Sequence, residues 1–290
     1  MTKLIAIDLD GTLLNSANKI SAENLKAIKS AQKEGIEVVV ATGRAHFDVV
    51  EIFKDTGVKT WIIAANGATI HNPEGVLFHS QPMENETAAA ALQFLELNHY
   101  YYEVFGCDAI YTPQSGRELI NIEIDRVESA NPDADRSQLL QAAAKQYSQT
   151  GFKFVESYKD ILNQTLDIYN ILAFSFHQEK LDAGWEKFKD IDNITLVTSA
   201  AHNFEIEHKL ASKGIALQKL SAHLGFELID TAAIGDSMND KSMLEIAGKS
   251  IAMGNARPEI KAICKDITLT NDQDGVELAI KRMMDAKQQV

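Results

Sequence analysis

The sequence predicts an α/β fold in which a parallel sheet with flanking helices is interrupted by an inserted α+β domain. Three observations support this prediction. Short apolar runs alternate with amphipathic helical patterns over residues 1–80, the same alternation returns after residue 208, and the section between them has strand patterns joined by turns. Strands that are apolar on both faces and separated by helices are typical of a parallel sheet.

The first block contains three predicted strands and two predicted helices. The strands are expected at 3–8, 36–43 and 60–67, and the helices at 21–35 and 46–57. Ser21 is a candidate N-cap of the first helix, and Gly35 ends it. Leu25, Ile28 and Ala31 recur at helical spacing, so this helix has one apolar face.

The last block follows the same alternation. It contains a helix at 211–225, a strand at 230–236, a helix at 239–248 and a strand at 250–254. Ser212 is the candidate N-cap of its first helix. Leu217, Leu220 and Leu224 form the apolar stripe of that helix, so it is expected to pack on the sheet.

The middle section has a different pattern and is predicted to form the inserted domain. Strand patterns at 100–112, 170–177 and 194–207 lie beside helical patterns at 84–98 and 181–190, and the residues from Gly106 to Asp108 suit a hairpin turn. Neighbouring strands joined by turns favour an antiparallel or mixed sheet. The predicted domains are therefore a discontinuous core, 1–83 with 209–290, and an insertion, 84–208.

Composition limits the classes of partner. Hydrophobic residues make up 45% of the chain, which is enough for a sizeable core, and the formal net charge is -13. Nucleic acids and anionic membranes select basic surfaces, so neither is an expected partner. An acidic protein can still bind a phosphorylated ligand if a divalent cation or a local lysine supplies positive charge.

Cysteine usage and the N-terminal residues predict a soluble cytoplasmic protein. Cys107 and Cys264 are too few for a disulfide framework and form no CxxC motif. The segment "MTKLIAIDLD" meets an acid within eight residues, which does not fit a secretory signal peptide, and no apolar run has the length of a membrane span.

Polar residues follow the predicted core strands at the points where they end. Ligands of parallel α/β sheets collect beyond the carboxyl ends of the strands, so we expect these side chains to share one rim. The residues are Asp8 and Asp10 after the first strand, Thr42, Gly43 and Arg44 after the second, Asn66 and Gly67 after the third, and Asp236, Asn239 and Asp240 after a later one. Lys213, at the head of a helix, is a candidate cation for the same rim.

Carboxylates that converge in this way would repel one another unless a cation lies between them. Hard oxygen ligands suit Mg²⁺, which commonly shares phosphate oxygens with protein carboxylates. If Asp8 and Asp236 hold the ion, a phosphoryl group could bridge it to Lys213 and the Thr42 hydroxyl. Asp8 could then attack phosphorus, and Asp10 could protonate the leaving oxygen and later accept a proton from water.

Four motifs identify the chain as similar to a known family. "DLDGT" at 8–12, "TGR" at 42–44, "SKG" at 212–214 and "GDSMND" at 235–240 resemble the four motifs of the haloacid dehalogenase (HAD) superfamily of phosphohydrolases. "NGA" at 66–68, "AMGNA" at 252–256 and "DGV" at 274–276 resemble its Cof-type branch. The resemblance implies a Rossmann-like core with a large α/β cap of the C2B type inserted between the second and third motifs.

The resemblance also implies roles for the rim residues. Asp8 would be the nucleophile and Asp10 the general acid and base. The carboxylates of Asp8 and Asp236 and the backbone carbonyl of Asp10 would bind Mg²⁺, with Asp240 supporting the metal site or orienting Lys213. The residues expected to contact the phosphoryl group are Thr42, Gly43, Lys213 and Asn239.

Substrate and subclass follow from the same comparison. An acid two residues after the nucleophile favours phosphoester hydrolysis, and a bulky cap that closes over the core favours small metabolites such as sugar phosphates or phosphorylated cofactors. Arg44 could reach a ligand or pair with an acid, and both alternatives stay open. The alternative functions are a phosphomutase of the same superfamily and a phospho-acceptor signalling protein without turnover.

Overall fold

The structure is a computed structural model that describes residues 2–131, 133–147 and 149–288. It divides into two compact units, which we call the core unit (Met1–Ser80 with Leu210–Val290) and the inserted unit (Gln81–Lys209). The sequence-based limits after residues 83 and 208 stay predictions of where the domains end.

The elements of both units are numbered along the chain. The strands are β1 (Leu4–Ile7), β2 (Glu37–Ala41), β3 (Trp61–Ala64), β4 (Thr69–His71), β5 (Leu77–Ser80), β6 (Tyr101–Gly106), β7 (Ile110–Pro113), β8 (Phe152–Val155), β9 (Ile168–Phe174), β10 (Ile194–Val197), β11 (Asn203–His208), β12 (Thr231–Gly235), β13 (Lys249–Ala252) and β14 (Asp266–Ile267). The α-helices are α1 (Ala22–Lys33), α2 (His46–Phe53), α3 (Asn85–Leu97), α4 (Gly116–Ala130), α5 (Arg136–Gln146), α6 (Tyr158–Leu162), α7 (Gln178–Phe188), α8 (Lys213–His223), α9 (Lys241–Ile246), α10 (Pro258–Ile263) and α11 (Gly275–Gln288).

The core unit is built on one sheet with the order β14-β13-β12-β1-β2-β3-β4-β5. Its strands from β14 to β3 are parallel, whereas β4 and β5 pair antiparallel at one edge. The predicted α/β class is confirmed. The sequence did not predict β4 and β5, because both are short and the first two residues of β5, Leu77 and Phe78, are exposed at the edge, so neither strand gives a two-faced apolar run.

The burial of β1, an inner strand of this sheet, explains why its segment of the sequence is entirely apolar. β1 lies between β2 and β12, and all four of its residues are buried in an apolar cluster that also contains residues of the helices α1, α8 and α11. Leu217 and Leu220 of α8 lie in the same apolar cluster, as the predicted stripe requires. A strand covered on both faces cannot alternate polar and apolar residues.

Two serine caps fix where the core helices begin. Ser21 Oγ accepts a hydrogen bond from the backbone N–H of Asn24 at 3.1 Å, and Ser212 Oγ accepts one from Ile215 N at 3.1 Å. Both predicted N-caps are confirmed. The Ser212 cap makes Lys213 the first residue of α8.

The inserted unit contains a second sheet with the order β10-β11-β9-β6-β7-β8, antiparallel except for the pair β7 and β8. The helix α3 and the hairpin of β6 and β7 lie where the sequence predicts them. The elements α4, α5, β8 and α6 were not predicted. In the described part of the chain, every helix is too short or too polar to traverse a bilayer.

Candidate active site

The site is formed where β1 and β12 end. Asp8 directly follows β1, and Asp236 directly follows β12. The two strands are parallel with Ile7 opposite Ile234, and Asp8 N donates to Ile234 O at 3.0 Å. Both carboxylates therefore leave the sheet at its carboxyl edge, where parallel sheets place their ligands.

Three carboxylates converge at this edge. One oxygen from each of Asp8, Asp236 and Asp240 lies within 4.8 Å of the others. Lys213 Nζ donates to Asp8 Oδ1 at 2.6 Å and to Asp240 Oδ1 at 2.7 Å, and its side chain is fully buried. One ammonium thus faces three carboxylates, which leaves an excess of negative charge in a buried place.

The charge excess is visible in the pKa directions. Burial, and then the neighbouring Asp240, raises the pKa of Asp8 well above its usual value and that of Asp236 to about 6. Burial alone would lower the pKa of Lys213, but Asp240 and Asp8 raise it, so the ammonium stays charged. The carboxylates resist ionisation together, and a divalent cation would remove that resistance.

The donor set fits a hard divalent cation. Asp240 has less freedom to be a direct ligand, because Oδ1 accepts from Lys213 and Oδ2 accepts from the backbone N–H of Asp236 and Ser237 at 2.9 and 3.0 Å. Asp8 and Asp236 are the better placed ligands. The group of three acids could hold a metal, and oxygen-only ligation of this kind is what Mg²⁺ prefers.

The loop after Asp8 packs directly against Asp236. Thr12 Oγ1 donates to Asp236 Oδ1 at 3.2 Å. Gly11 has a φ of +79°, and a Cβ there would lie 2.6 Å from Asp236 Oδ2, so both backbone and space require glycine. Asn255 Nδ2 donates to Gly11 O at 2.8 Å, which ties this loop to the late "AMGNA" segment.

Asp10 is held by Arg44. The guanidinium donates through Nε and Nη2 to the two Asp10 oxygens at 2.7 Å each, and through Nη1 to Asp48 Oδ2 at 2.6 Å. Asp10 and Asp48 raise the pKa of Arg44 against the opposing effect of burial. In this arrangement Arg44 pairs with acids, which is one of its two predicted alternatives, and its contact with substrate stays a prediction.

The end of β2 is connected to the "GDSMND" loop. Thr42 is buried, and its Oγ1 accepts from Arg44 N at 3.1 Å. Asn239 Nδ2 donates to Asn66 Oδ1 at 3.0 Å. A Cβ on Gly43 would lie 3.0 Å from the same Asn66 oxygen, so the absence of a side chain at Gly43 leaves room for the Asn66 amide.

Direct contacts thus join most of the predicted site residues into two groups. The first contains Asp8, Lys213, Asp236 and Asp240, and the second contains Thr42, Asp10 and Arg44. The sequence placed Asn66 on the rim but gave it no role, and it gave no role to Asp48 or Thr12. The signal for Asn66 is its place at the end of the third strand just before a glycine, and the signal for Thr12 is its place in "DLDGT". Asp48 had no signal beyond its place near "TGR".

The fold and the edge site define a two-unit α/β protein with an acidic, lysine-containing centre. A family model described as haloacid dehalogenase-like hydrolase matches residues 5–280. Phosphatase YwpJ of Bacillus subtilis (strain 168) is 56% identical over 284 residues, 97% of this chain and 100% of that protein. The 5-amino-6-(5-phospho-D-ribitylamino)uracil phosphatase YwtE of the same strain is 40% identical over 282 residues, 97% and 98% of the two chains.

A solved structure agrees with these relatives. A haloacid dehalogenase-like hydrolase from B. subtilis matches with a TM-score of 0.86 and 56% identity, over 97% of this chain and 99% of that one. The chain belongs to the haloacid dehalogenase-like hydrolases, and the predicted resemblance to the Cof-type branch with an inserted cap is confirmed. The protein is a phosphatase of this type.

Proposed function

We propose that this phosphatase hydrolyses small phosphomonoesters with Mg²⁺, through an aspartyl-phosphate on Asp8. The observation that supports this most directly is the cluster of Asp8, Asp236 and Asp240 within 4.8 Å, with Lys213 Nζ 2.6 Å from Asp8. A buried nucleophile, an anion-neutralising lysine and a metal-binding acid pair are the parts that phosphoryl transfer needs.

The metal belongs to this proposal. The carboxylates of Asp8 and Asp236 and the backbone carbonyl of Asp10 would hold Mg²⁺, while Asp240 fixes Lys213 and the Asp236 backbone. When bound, the ion neutralises phosphoryl oxygens and acts as a Lewis acid.

The covalent step starts at Asp8. Because Lys213 engages Oδ1, the other carboxylate oxygen attacks phosphorus. The new bond joins Asp8 to phosphorus as the bond from phosphorus to the ester oxygen breaks, and that oxygen takes a proton from Asp10. In the second step Asp10 accepts a proton from water, the water oxygen bonds to phosphorus, and the bond to Asp8 breaks to release phosphate.

The contact with Arg44 places a condition on this sequence. Both Asp10 oxygens accept hydrogen bonds from Arg44, so Asp10 cannot donate a proton to the ester oxygen in the same arrangement. The Asp10 carboxyl group must give up at least one of these bonds when it acts. Thr42, Gly43, Lys213 and Asn239 are the residues we assign to the phosphoryl group.

Substrate class is inferred from the relatives. The relative YwtE is named for a phosphorylated ribitylaminouracil, a small phosphomonoester. We extend only that chemical class to this chain, namely sugar phosphates and phosphorylated cofactors or their precursors. A cytoplasmic location is part of the same proposal, and the free thiols of Cys107 and Cys264 are compatible with it.

The first experiment measures phosphate release from a panel of phosphorylated metabolites that includes 5-amino-6-(5-phospho-D-ribitylamino)uracil. We expect turnover with Mg²⁺, loss of turnover with EDTA, and recovery when Mg²⁺ is returned. The variant Asp8→Asn should retain the circular dichroism spectrum but lose at least about a thousandfold in kcat, since the covalent route is closed.

Asp266→Asn is the matched control, because Asp266 is an exposed residue of β14 that pairs with Arg282 at the surface. It should keep the parental kcat. Substantial activity in Asp8→Asn would remove the aspartyl-phosphate. Conversion of a sugar phosphate into its isomer that requires a sugar bisphosphate and releases no net phosphate would instead indicate the phosphomutase alternative.

A further inference from the structure

Two consecutive residues after β3 have a backbone conformation that side chains rarely adopt. Ala65 has a φ of 45° and Asn66 a φ of 51°. Both values are in the left-handed region, which is uncommon for residues other than glycine, although asparagine tolerates it better than alanine. Such strain persists where the surroundings impose it, and it is concentrated at functional sites.

The surroundings that impose this conformation are residues of the site. Ala65 N donates to Arg44 O and Asn66 N donates to Thr42 O, both at 2.9 Å. On the other side, Gly67 has a φ of +102°, and a Cβ there would lie 2.3 Å from Ser212 O, next to the start of α8. The turn is therefore fixed between the "TGR" loop and the residue that caps the Lys213 helix.

The strained turn presents the Asn66 amide to Asn239. Asn239 Nδ2 donates to Asn66 Oδ1 at 3.0 Å, and Ser237 Oγ donates to Asn239 Oδ1 at 2.5 Å. These two bonds orient the Asn239 amide from both ends. A primary amide has two N–H hydrogens, so after one is given to Asn66 the other can be directed at a phosphoryl oxygen.

We propose that Asn66 is a positioning residue of the active site, which acts through Asn239 on the transferred phosphoryl group. This inference rests on the proposed function, because Asn239 is assigned to the phosphoryl group there. The conformational cost of a buried asparagine with a left-handed backbone is explained if its side-chain oxygen is needed to accept the hydrogen bond from Asn239. A glycine would meet the backbone requirement at less cost, but it would leave Asn239 without this acceptor.

The experiment separates the side chain from the backbone. Asn66→Gly keeps the left-handed turn accessible and removes the amide, whereas Ala65→Gly, the matched control, relaxes the neighbouring residue and leaves the amide in place. We expect Asn66→Gly to lose about tenfold to a hundredfold in kcat/KM for p-nitrophenyl phosphate, with similar weakening of inhibition by orthovanadate. Ala65→Gly should stay within about twofold of the parent.

A double-mutant cycle tests the route through Asn239. If Asn66 acts by orienting Asn239, then Asn66→Gly should cost little in a protein that already carries Asn239→Ala, so the two losses should not multiply. A thermal melt of each variant shows whether it is folded. Losses that multiply, or equal losses in Asn66→Gly and Ala65→Gly, would overturn the proposal and indicate a turn with a structural role only.

The outcomes also separate this inference from the proposed function. If the parent protein releases no phosphate from any ester, the proposed function fails. If the parent is active and Asn66→Gly has the same kcat/KM and the same inhibition by vanadate as the parent, only the proposed role of Asn66 fails.

Discussion

Lys213 Nζ donates to Asp8 Oδ1 at 2.6 Å, and both side chains are buried. The same ammonium reaches Asp240 at 2.7 Å, so it is the positive partner of two acids that belong to distant segments of the chain. Breaking a buried ion pair by removing one partner costs more than the pair contributes when intact, because a charge is left buried and uncompensated. Lys213 is therefore expected to matter for stability as well as for phosphate binding.

The first prediction concerns Lys213→Met. Without its ammonium, the three carboxylates repel one another, and we expect the free energy of unfolding to fall by about 3–5 kcal/mol in EDTA. Saturating Mg²⁺ should restore part of this loss, because the ion would replace the missing positive charge. Urea denaturation with EDTA and with Mg²⁺ measures both values.

Lys241→Met is the control, since Lys241 begins α9 and makes an exposed ion pair with Glu245 at 3.7 Å. The free energy of unfolding of this variant should fall by about 0.5 kcal/mol or less, and Mg²⁺ should stabilise it as much as it stabilises the parent. A Lys213→Met protein that Mg²⁺ does not stabilise more than it stabilises the parent would speak against a metal at the three acids.

The second prediction concerns Arg44→Lys. Lysine keeps the positive charge between Asp10 and Asp48 but cannot form the two parallel hydrogen bonds of Arg44, so it orients the Asp10 carboxyl group less well once one oxygen is released for proton transfer. We expect kcat to fall about tenfold, with a change in melting temperature of only a few degrees, because charge is conserved while the orientation of Asp10 is not. Steady-state kinetics and a thermal melt measure the two effects. An unchanged kcat would show that the Arg44 fork is not needed to position Asp10.

Much of the core could be read from the sequence because its strands are buried on both faces. The apolar runs that gave β1, β2, β3 and β12 result from the packing of helices against the parallel sheet, which buries the side chains of these strands. Their strand-end acids could be placed on one edge for the same reason, since parallel strands finish together. The edge strand β5 gave no such signal, because its Leu77 and Phe78 are exposed.

Side-chain pairing at the site was not predictable in the same way. Arg44 follows a strand, and nothing in its position decides between a ligand and the acids Asp10 and Asp48. The role of Asn66 depends on a left-handed φ of 51°, which local sequence allows but does not require. Such details are decided by contacts between segments far apart in the chain, as the 3.0 Å bond between Asn66 and Asn239 shows.

Two histidines of the core unit are stacked where α2 begins and β4 ends. The rings of His46 and His71 have their centroids 3.6 Å apart and lie within 9° of parallel. Burial, and then the nearby His46, lowers the pKa of His71 from 6.5 to about 4, and burial lowers the pKa of His46 as well. In the described residues, His46 Nε2 and His71 Nδ1 are buried and have no hydrogen-bond partner. A protonated ring would leave a buried N–H without an acceptor, so this arrangement favours neutral imidazoles.

The third prediction is a loss of stability in acid that depends on His71. As the pH falls below 6.5, the imidazole of the unfolded chain takes up a proton before the folded one does, so unfolding becomes more favourable down to about pH 4. His71 is half-buried and partly screened by solvent, so we expect it to contribute about 1–2 kcal/mol to this loss of stability. The variant His71→Phe keeps an aromatic ring in the stack and should lose less stability than the parent between neutral pH and about pH 5. Urea denaturation of both proteins measures this difference, and titration of the shared carboxylates cancels in it. Parallel losses in the two proteins would show that His71 is not protonated preferentially in the unfolded chain.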